Sequence, residues 1–166
     1  EMPKFCPSCG AEVVRREGEA ASYCTGADCP AQQLRHLEHF TSRDAMNIEG
    51  LGAANLEKLN QLGFISRLSD IYRLEDKREA LEKLPGWGPK SVDNLLTAIE
   101  RTKSNPLYRL INALGIPLVG TQTARVLGQN FNSIWDLAHA DRERWESIPD
   151  IGTISADMIL AFFAGE

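Results

Sequence analysis

Four cysteines, all within the first 29 residues, are the side chains of this sequence whose type and spacing could do chemistry. Cys6, Cys9, Cys24 and Cys29 follow the pattern C-x2-C-x14-C-x4-C, and no other cysteine occurs in the 166 residues. Such a compact set of thiols is typical of either a disulfide framework or a metal site. The opening residues show no basic stretch and no apolar run of a secretion signal, which favours reduced thiolates that hold a metal.

The surroundings of the two cysteine pairs favour zinc as that metal. Each pair has a glycine beside or between its cysteines, and we predict short strands over residues 11–16 and 19–23. Residues 1–30 then resemble a zinc ribbon with four sulfur ligands. Four protein ligands leave no open position for water, so the zinc would be structural, and its binding would supply on the order of 10 kcal/mol of folding free energy. The alternatives are an iron–sulfur cluster, a disulfide pair, or replacement of one cysteine by His36 or His39.

A segment repeated four times organises the rest of the chain. Each copy has an apolar residue, two further positions, a second apolar residue and a glycine, and helical patterns flank it on both sides. The copies span residues 48–52, 84–88, 116–120 and 148–152. The helical patterns that precede them span 41–47, 77–83, 106–114 and 142–147, and those that follow span 53–62, 89–102, 121–127 and 153–163. This order of helix, tight hairpin and helix resembles the helix–hairpin–helix DNA-binding motif, present four times.

The helix starts at these hairpins suit a phosphate group. The first amides of a helix have no carbonyl partner within it, and the helix dipole favours an anion beside them. Contacts of this kind need no lysine or arginine, so a chain with a net charge of −5 could still hold DNA. That charge excludes a broadly basic nucleic-acid binder. Because the contacts would be to phosphate, binding would be independent of DNA sequence.

The candidate DNA-binding residues all lie in a hairpin or in the first turn of the helix that follows. They are Gly50, Leu51, Gly52, Gly86, Trp87, Gly88, Lys90, Ser91, Val119, Gly120, Thr121, Thr123, Gly152, Thr153 and Ser155. The apolar members, with Ile151, are expected to fill the gap between the two helices of each unit. Leu118 and Asp150 stand where the third and fourth hairpins would have their first glycine. We therefore expect the second hairpin to bind best, followed by the first, the third and the fourth.

The predicted fold class is mainly α, with four helix–hairpin–helix repeats after a small four-cysteine β-ribbon. Residues 1–30 would form the zinc module and residues 31–166 the repeat domain, whose units pair into two similar halves. Trp135 and Trp145 fall on helical faces and are expected in the core. No apolar run approaches the roughly 20 residues of a membrane span, so no membrane partner is expected.

Together these features resemble the zinc-finger and helix–hairpin–helix region of bacterial NAD-dependent DNA ligases. The resemblance rests on the four cysteines and on three segments: residues 39–52 (HFTSRDAMNIEGLG), 84–91 (LPGWGPKS) and 114–120 (LGIPLVG). It implies an enzyme that seals nicks between a 5′-phosphate and a 3′-hydroxyl, with NAD and Mg²⁺ as cofactors of the full-length enzyme only. It also implies nicked duplex DNA and the other ligase domains as partners, and a bacterial, cytoplasmic, nucleoid-associated location.

The lysine that such ligases adenylate lies in a Lys-x-Asp-Gly motif, which does not occur in this sequence. The chain is therefore expected to be a fragment that binds DNA but has no activity alone. The alternatives are the DNA-binding module of a repair nuclease and a protein-interaction scaffold. The four-cysteine module directly before the first repeat favours the ligase.

Overall fold

The computed structural model describes residues 2–164, which form helices and one two-stranded sheet. The elements are β1 (Val13–Arg15), β2 (Ser22–Cys24), α1 (Pro30–Thr41), α2 (Ala53–Gln61), α3 (Leu68–Ile71), a 3-10 helix (Leu74–Lys77), α4 (Arg78–Glu82), α5 (Pro89–Thr102), α6 (Leu107–Ala113), α7 (Thr121–Asn130), α8 (Ile134–Ala138), α9 (Arg142–Glu146) and α10 (Thr153–Ala164). The predicted fold class, mainly α with a small β-ribbon, is confirmed. Among the described residues, no helix has the length and apolar character needed to cross a bilayer.

The β-ribbon is small and has no apolar core of its own. Strands β1 and β2 pair antiparallel, with Val13 opposite Cys24, and a single bridge joins Phe5 to Glu12. Strand β1 lies within the predicted range 11–16, whereas β2 overlaps the predicted range 19–23 and ends one residue later; both are shorter than predicted. No residue from 2 to 28 is buried. Hydrophobic burial therefore cannot hold this ribbon together, and another interaction must do so.

The helices that follow the hairpins form where their apolar periodicity predicts them. Helix α5 has the predicted bounds, begins with a proline and buries Val92, Leu95 and Ile99, which recur at intervals of three and four residues. Helix α7 continues to Asn130, beyond the predicted end at 127. Helices α5 and α7 therefore turn one apolar stripe inwards and leave their polar faces outside.

The prediction of a helix over residues 41–47 is wrong. Helix α1 ends at Thr41 because Ser42 takes an extended backbone conformation, with φ −62° and ψ 160°. Residues 42–47 form hydrogen-bonded turns, and Asn47 lies in the left-handed region with φ 54°. Helix α1 thus takes the place of the helix that precedes the first hairpin.

Two hydrophobic clusters divide the repeats into pairs. The first hairpin contributes Ile48 and Leu51 to one cluster, and the second hairpin packs Leu84 and Trp87 against it. The other cluster receives four residues from the third and fourth hairpins: Ile116, Val119, Ile148 and Ile151. This arrangement agrees with the expected pairing of units into two similar halves. Below, the first half means the units of hairpins 1 and 2, and the second half those of hairpins 3 and 4.

The two tryptophans expected in the core have different positions. Trp145 is fully buried and packs its ring against Phe131 at a centroid distance of 4.9 Å, which confirms the expectation for that residue. Trp135 is 72% exposed, so the expectation is wrong there. Helix α8 has only five residues and buries Leu137, so little of its surface faces the core.

Hydrogen bonds to backbone carbonyls join the two halves. Arg109 of α6 donates to the carbonyls of Arg43 and Ala45, and the amide of the buried Asn112 donates to the carbonyl of Asp44. On the same side, His36 and His39 of α1 contact the carbonyls at the end of α6 at 2.9 and 2.7 Å. Because Cys29 directly precedes α1, this contact also links the ribbon to the second half.

Candidate metal centre and nucleic-acid interface

The fold brings the four cysteine sulfurs together at one end of the ribbon. All four Sγ atoms lie within 4.8 Å of one another, with Cys6 and Cys29 3.8 Å apart and Cys9 and Cys24 3.4 Å apart. These distances far exceed an S–S bond, and all four cysteines are free. A zinc ion with bonds of about 2.3 Å to sulfur holds its tetrahedral ligands about 3.8 Å apart. The four sulfurs therefore fit a tetrahedral zinc site.

The electrostatics of the site also suit a divalent cation. The backbone N–H groups of Cys9 and Ser8 lower the pKa of the Cys6 thiol to about 7. The backbone N–H of Gly26 lowers the pKa of Cys24, but burial and the neighbouring thiols outweigh it and raise this pKa to about 12. Opposite shifts arise because several thiolates cannot share so small a space without a cation between them. A bound zinc would supply that charge.

Gly26 lies directly against two of the four sulfurs. A Cβ at this position would lie 2.8 Å from Cys9 Sγ and 3.4 Å from Cys24 Sγ. We expect Gly26→Ala to weaken zinc binding at least about tenfold, the size of effect seen when the groups that orient metal ligands are disturbed. Competition with a chromophoric chelator would measure the change. Ala27→Ser, at the exposed next position, is the matched control and should bind zinc as the native chain does.

All four hairpins share one backbone geometry. The second apolar residue donates its N–H to the carbonyl of the first, as from Leu51 to Ile48 and from Trp87 to Leu84, at 3.0–3.3 Å in the four copies. The residue directly before the second apolar residue has a positive φ in every case: 94° at Gly50, 81° at Gly86, 65° at Leu118 and 71° at Asp150. Leu118 and Asp150 therefore do not alter the turn, although a left-handed conformation costs a residue with a Cβ about 1–2 kcal/mol.

The four junctions between hairpin and helix face solvent. Gly52, Gly120 and Gly152 and the two residues after each of them are exposed, and Gly88 is half-buried before exposed Pro89, Lys90 and Ser91. A Cβ at any of these four glycines would meet no atom within 4 Å. The apolar residues that precede them are buried, except Trp87, which is partly buried. A large anion can therefore reach the start of each helix.

The first amides of α2, α5 and α7 have no side-chain cap, in contrast to those of α8 and α9, although α1, α4 and α6 also lack such a cap. At the start of α8, the Ser133 side chain accepts a hydrogen bond from the amide of Asp136, and at α9 the Asp141 carboxylate accepts one from Arg144. Helices α2, α5 and α7 begin after a glycine and have no side-chain cap. Their first amides are left for a partner outside the chain.

Hairpins 1 and 2 face each other across one groove. The groove has a volume of about 620 Å³, and its lining includes Gly50 and Gly86 together with Trp87 and Ser91 of the predicted set. Hairpins 3 and 4, with Gly120 and Gly152, belong to the second half. The structure thus brings four of the predicted residues together on one surface.

Asn55 is a site residue that the sequence reasoning missed. It is the third residue of α2, the position held in the other three units by Ser91, Thr123 and Ser155. Its side-chain amide donates to the carbonyl of Gly50 at 2.8 Å and lines the groove. Alignment of the four copies on their last glycine would have found it, because all four units have a short polar side chain there.

Three segments of the chain match models of known protein families. The model of the NAD-dependent DNA ligase C4 zinc finger domain matches residues 5–31, a SAM-like helix–hairpin–helix tandem matches 42–101, and a helix–hairpin–helix motif matches 109–166. The chain matches the zinc-finger and helix–hairpin–helix region of NAD-dependent DNA ligases. The first match includes all four cysteines and supports a structural zinc there.

Whole DNA ligases align with the chain over nearly all of its length. Those of Symbiobacterium thermophilum and Acetivibrio thermocellus are 52% and 47% identical over 163 and 162 residues, which are 98% of this chain and 24% of each ligase. The DNA ligase of Persephonella marina is 46% identical over 163 residues, 98% of this chain and 22% of that enzyme. The chain spans about a quarter of the length of these curated relatives, so it corresponds to one region of a DNA ligase, as predicted.

Proposed function

We propose that this chain grips duplex DNA without reading its sequence, as the DNA-clamping part of an NAD-dependent DNA ligase. The observation that carries the proposal is the geometry of the hairpins. Four helices each begin directly after a turn of the same geometry, and their N-termini are open to solvent. Helices α2, α5 and α7 have no side-chain cap. An uncapped helix N-terminus is a site for a phosphate. Four of them on one chain can hold several phosphates of one duplex.

The candidate residues take two roles in this proposal. The glycines and the polar residues of each first turn contact phosphate, whereas Leu51, Val119 and Ile151 pack each hairpin against its helices. Phosphate contacts fix the position of the protein on DNA but carry no sequence information. Binding therefore extends to any duplex, with a nick as the target that the whole enzyme would recognise.

The zinc module has a supporting role. Cys6, Cys9, Cys24 and Cys29 hold one structural zinc, and residues 1–30 and 31–166 form the zinc module and the repeat domain. NAD and Mg²⁺ serve the nick-sealing reaction of the whole ligase, whose other domains are partners of this region. This region has no activity alone. The proposed location of the protein is the bacterial cytoplasm, on the chromosome.

A titration of the zinc-loaded chain with fluorescent duplex tests the proposal. The four hairpins alone, at about −0.9 for each phosphate contact, predict that log K falls with log salt at a slope of −3 to −4. Two unrelated sequences should bind equally, in both nicked and intact form. A slope near −8 would mean that basic side chains dominate. No binding at low salt would overturn the proposal and favour a protein-interaction scaffold.

A further inference from the structure

We infer that the DNA backbone also contacts Arg101, at the far end of the groove between hairpins 1 and 2. This inference rests on the proposed function and adds a contact that no hairpin supplies. Arg101 lines the groove that contains Gly50 and Gly86, and it lines a second, smaller groove together with Arg109. The two grooves meet at Arg101, so a strand that follows them passes its guanidinium.

The charged side chains of α5 lie on different sides of the helix. Ser91, Asn94 and Arg101 line the hairpin groove, and none of the residues that α5 contributes there is acidic. A groove on another side of α5 is lined by its acids Asp93 and Glu100. In a chain with a net charge of −5, the hairpin side of α5 is thus a surface where a polyanion meets little repulsion from the helix.

The ion pairs of α5 involve its acidic side chains but not Arg101. Asp93 pairs with Arg78, and Glu100 pairs with Lys103 at 2.6 Å. Within residues 2–164, Arg101 makes no ion pair and no side-chain hydrogen bond, and it is exposed. A guanidinium that no carboxylate holds is available for a phosphate, which it can bind through two parallel hydrogen bonds.

Arg101 and hairpin 2 need separate phosphates. At a rise of 1.5 Å per residue, Lys90 in the first turn of α5 and Arg101 are about 16 Å apart along the helix axis. One phosphate cannot serve both. Removal of the guanidinium should therefore remove one whole contact, which the hairpin amides cannot replace.

The second half does not repeat this arrangement. In the fourth unit, Met158 and Ala161 of α10 take the positions of Asn94 and Thr97 of α5, 64 residues later. Helix α5 thus has polar side chains at two positions where they could contact a DNA strand, and α10 has apolar side chains at the same two positions. The contact is consequently assigned to the first half only.

Arg101→Gln tests the inference, with Lys103→Gln as its matched control. Both remove one positive charge at the end of α5, but Lys103 lies on the side of the acids and pairs with Glu100. At about 0.1 M salt, one contact with a slope of −0.9 corresponds to about eightfold in affinity. We expect Arg101→Gln to bind duplex about eightfold more weakly, with a salt slope smaller by about 0.9, and Lys103→Gln to bind as the native chain does.

Two further variants sharpen the experiment. Arg101→Lys keeps the charge and should keep the slope. Glu49→Gln removes the carboxylate that faces both grooves and should bind about twofold more tightly, as expected for a screened charge about 10 Å away. The melting temperatures of the Arg101 variants should match that of the native chain, because the Arg101 side chain makes no hydrogen bond or ion pair with the other described residues.

The outcomes separate the inference from the proposed function. If the native chain binds duplex and Arg101→Gln binds with the same affinity and slope, the Arg101 contact is wrong and the DNA-gripping function stands. An equal loss in Lys103→Gln, or a loss in Arg101→Gln without a change of slope, also overturns the contact. If the native chain itself fails to bind, the proposed function fails.

Discussion

The double variant Gly52→Asp with Gly88→Asp is expected to lose about 100-fold in affinity for duplex DNA at about 0.1 M salt, while its melting temperature stays the same or rises. Both glycines have the extended backbone of an N-cap residue, with ψ 171° and 178°, and open space where a side chain would stand. Aspartate is a favoured N-cap, because its carboxylate accepts hydrogen bonds from the first amides. It would take the place proposed for the phosphate and repel the DNA.

A control for this variant must carry the same charge change elsewhere. Ser133 already caps α8 through its side chain, so Ser133→Asp with Gln129→Glu adds two acids and one new acidic N-cap outside the hairpins. This variant should bind DNA within about threefold of the native chain, because neither position lies in a hairpin or in the first turn that follows one, and salt screens surface charges over about 10 Å. Fluorescence anisotropy and thermal melts measure both variants. Equal losses in the two would mean that net charge, and not the hairpin amides, controls binding.

Loss of one zinc ligand is expected to unfold the ribbon and leave the helices intact. Cys9 is the exposed member of the four, so Cys9→Ser changes the metal site without opening a cavity. The ribbon buries none of residues 2–28, and zinc binding on the order of 10 kcal/mol is its main source of folding free energy. Neither hydrophobic cluster includes a residue of the ribbon. Hydrogen exchange should therefore show lost protection in β1 and β2 and native protection in α5 and α10.

Acid should have the same effect as the substitution. A thiolate whose pKa is lowered in the folded state adds stability above its ordinary pKa of 9.0, and this stability is lost as the pH falls through the lowered value, about 7 for Cys6. Protons also compete with zinc for all four sulfurs. Zinc release followed with a chelating dye should increase as the pH falls from about 8 to 5. Ser8→Ala should release zinc at the same pH as the native chain, since its side chain is not a ligand. A ribbon that stays folded without metal would contradict this account.

Short stretches of the sequence are enough to predict the metal site and the starts of the hairpin helices. The spacing of four cysteines predicts one metal centre, and their sulfurs do lie within 4.8 Å of one another. The repeated hairpin predicts the starts of α2, α5, α7 and α10, because a turn and the apolar period of one helix involve only neighbouring residues. The failure at residues 41–47 has a local cause as well: the conformation of Ser42 ends α1 earlier than the polar and apolar pattern indicates.

The tertiary structure alone decided which of these local features share a surface. Sequence pattern does not show that hairpins 1 and 2 line one groove, that α5 turns Arg101 towards it, or that Trp135 stays outside the core. These facts depend on how helices far apart in the chain pack, and each packing contact involves residues with no fixed spacing. The sequence by itself determined that the chain has four helix starts of one hairpin pattern and one set of four cysteines that fit zinc. Packing of the two hydrophobic clusters, joined through Arg109 and Asn112, determined which of those helix starts share a surface.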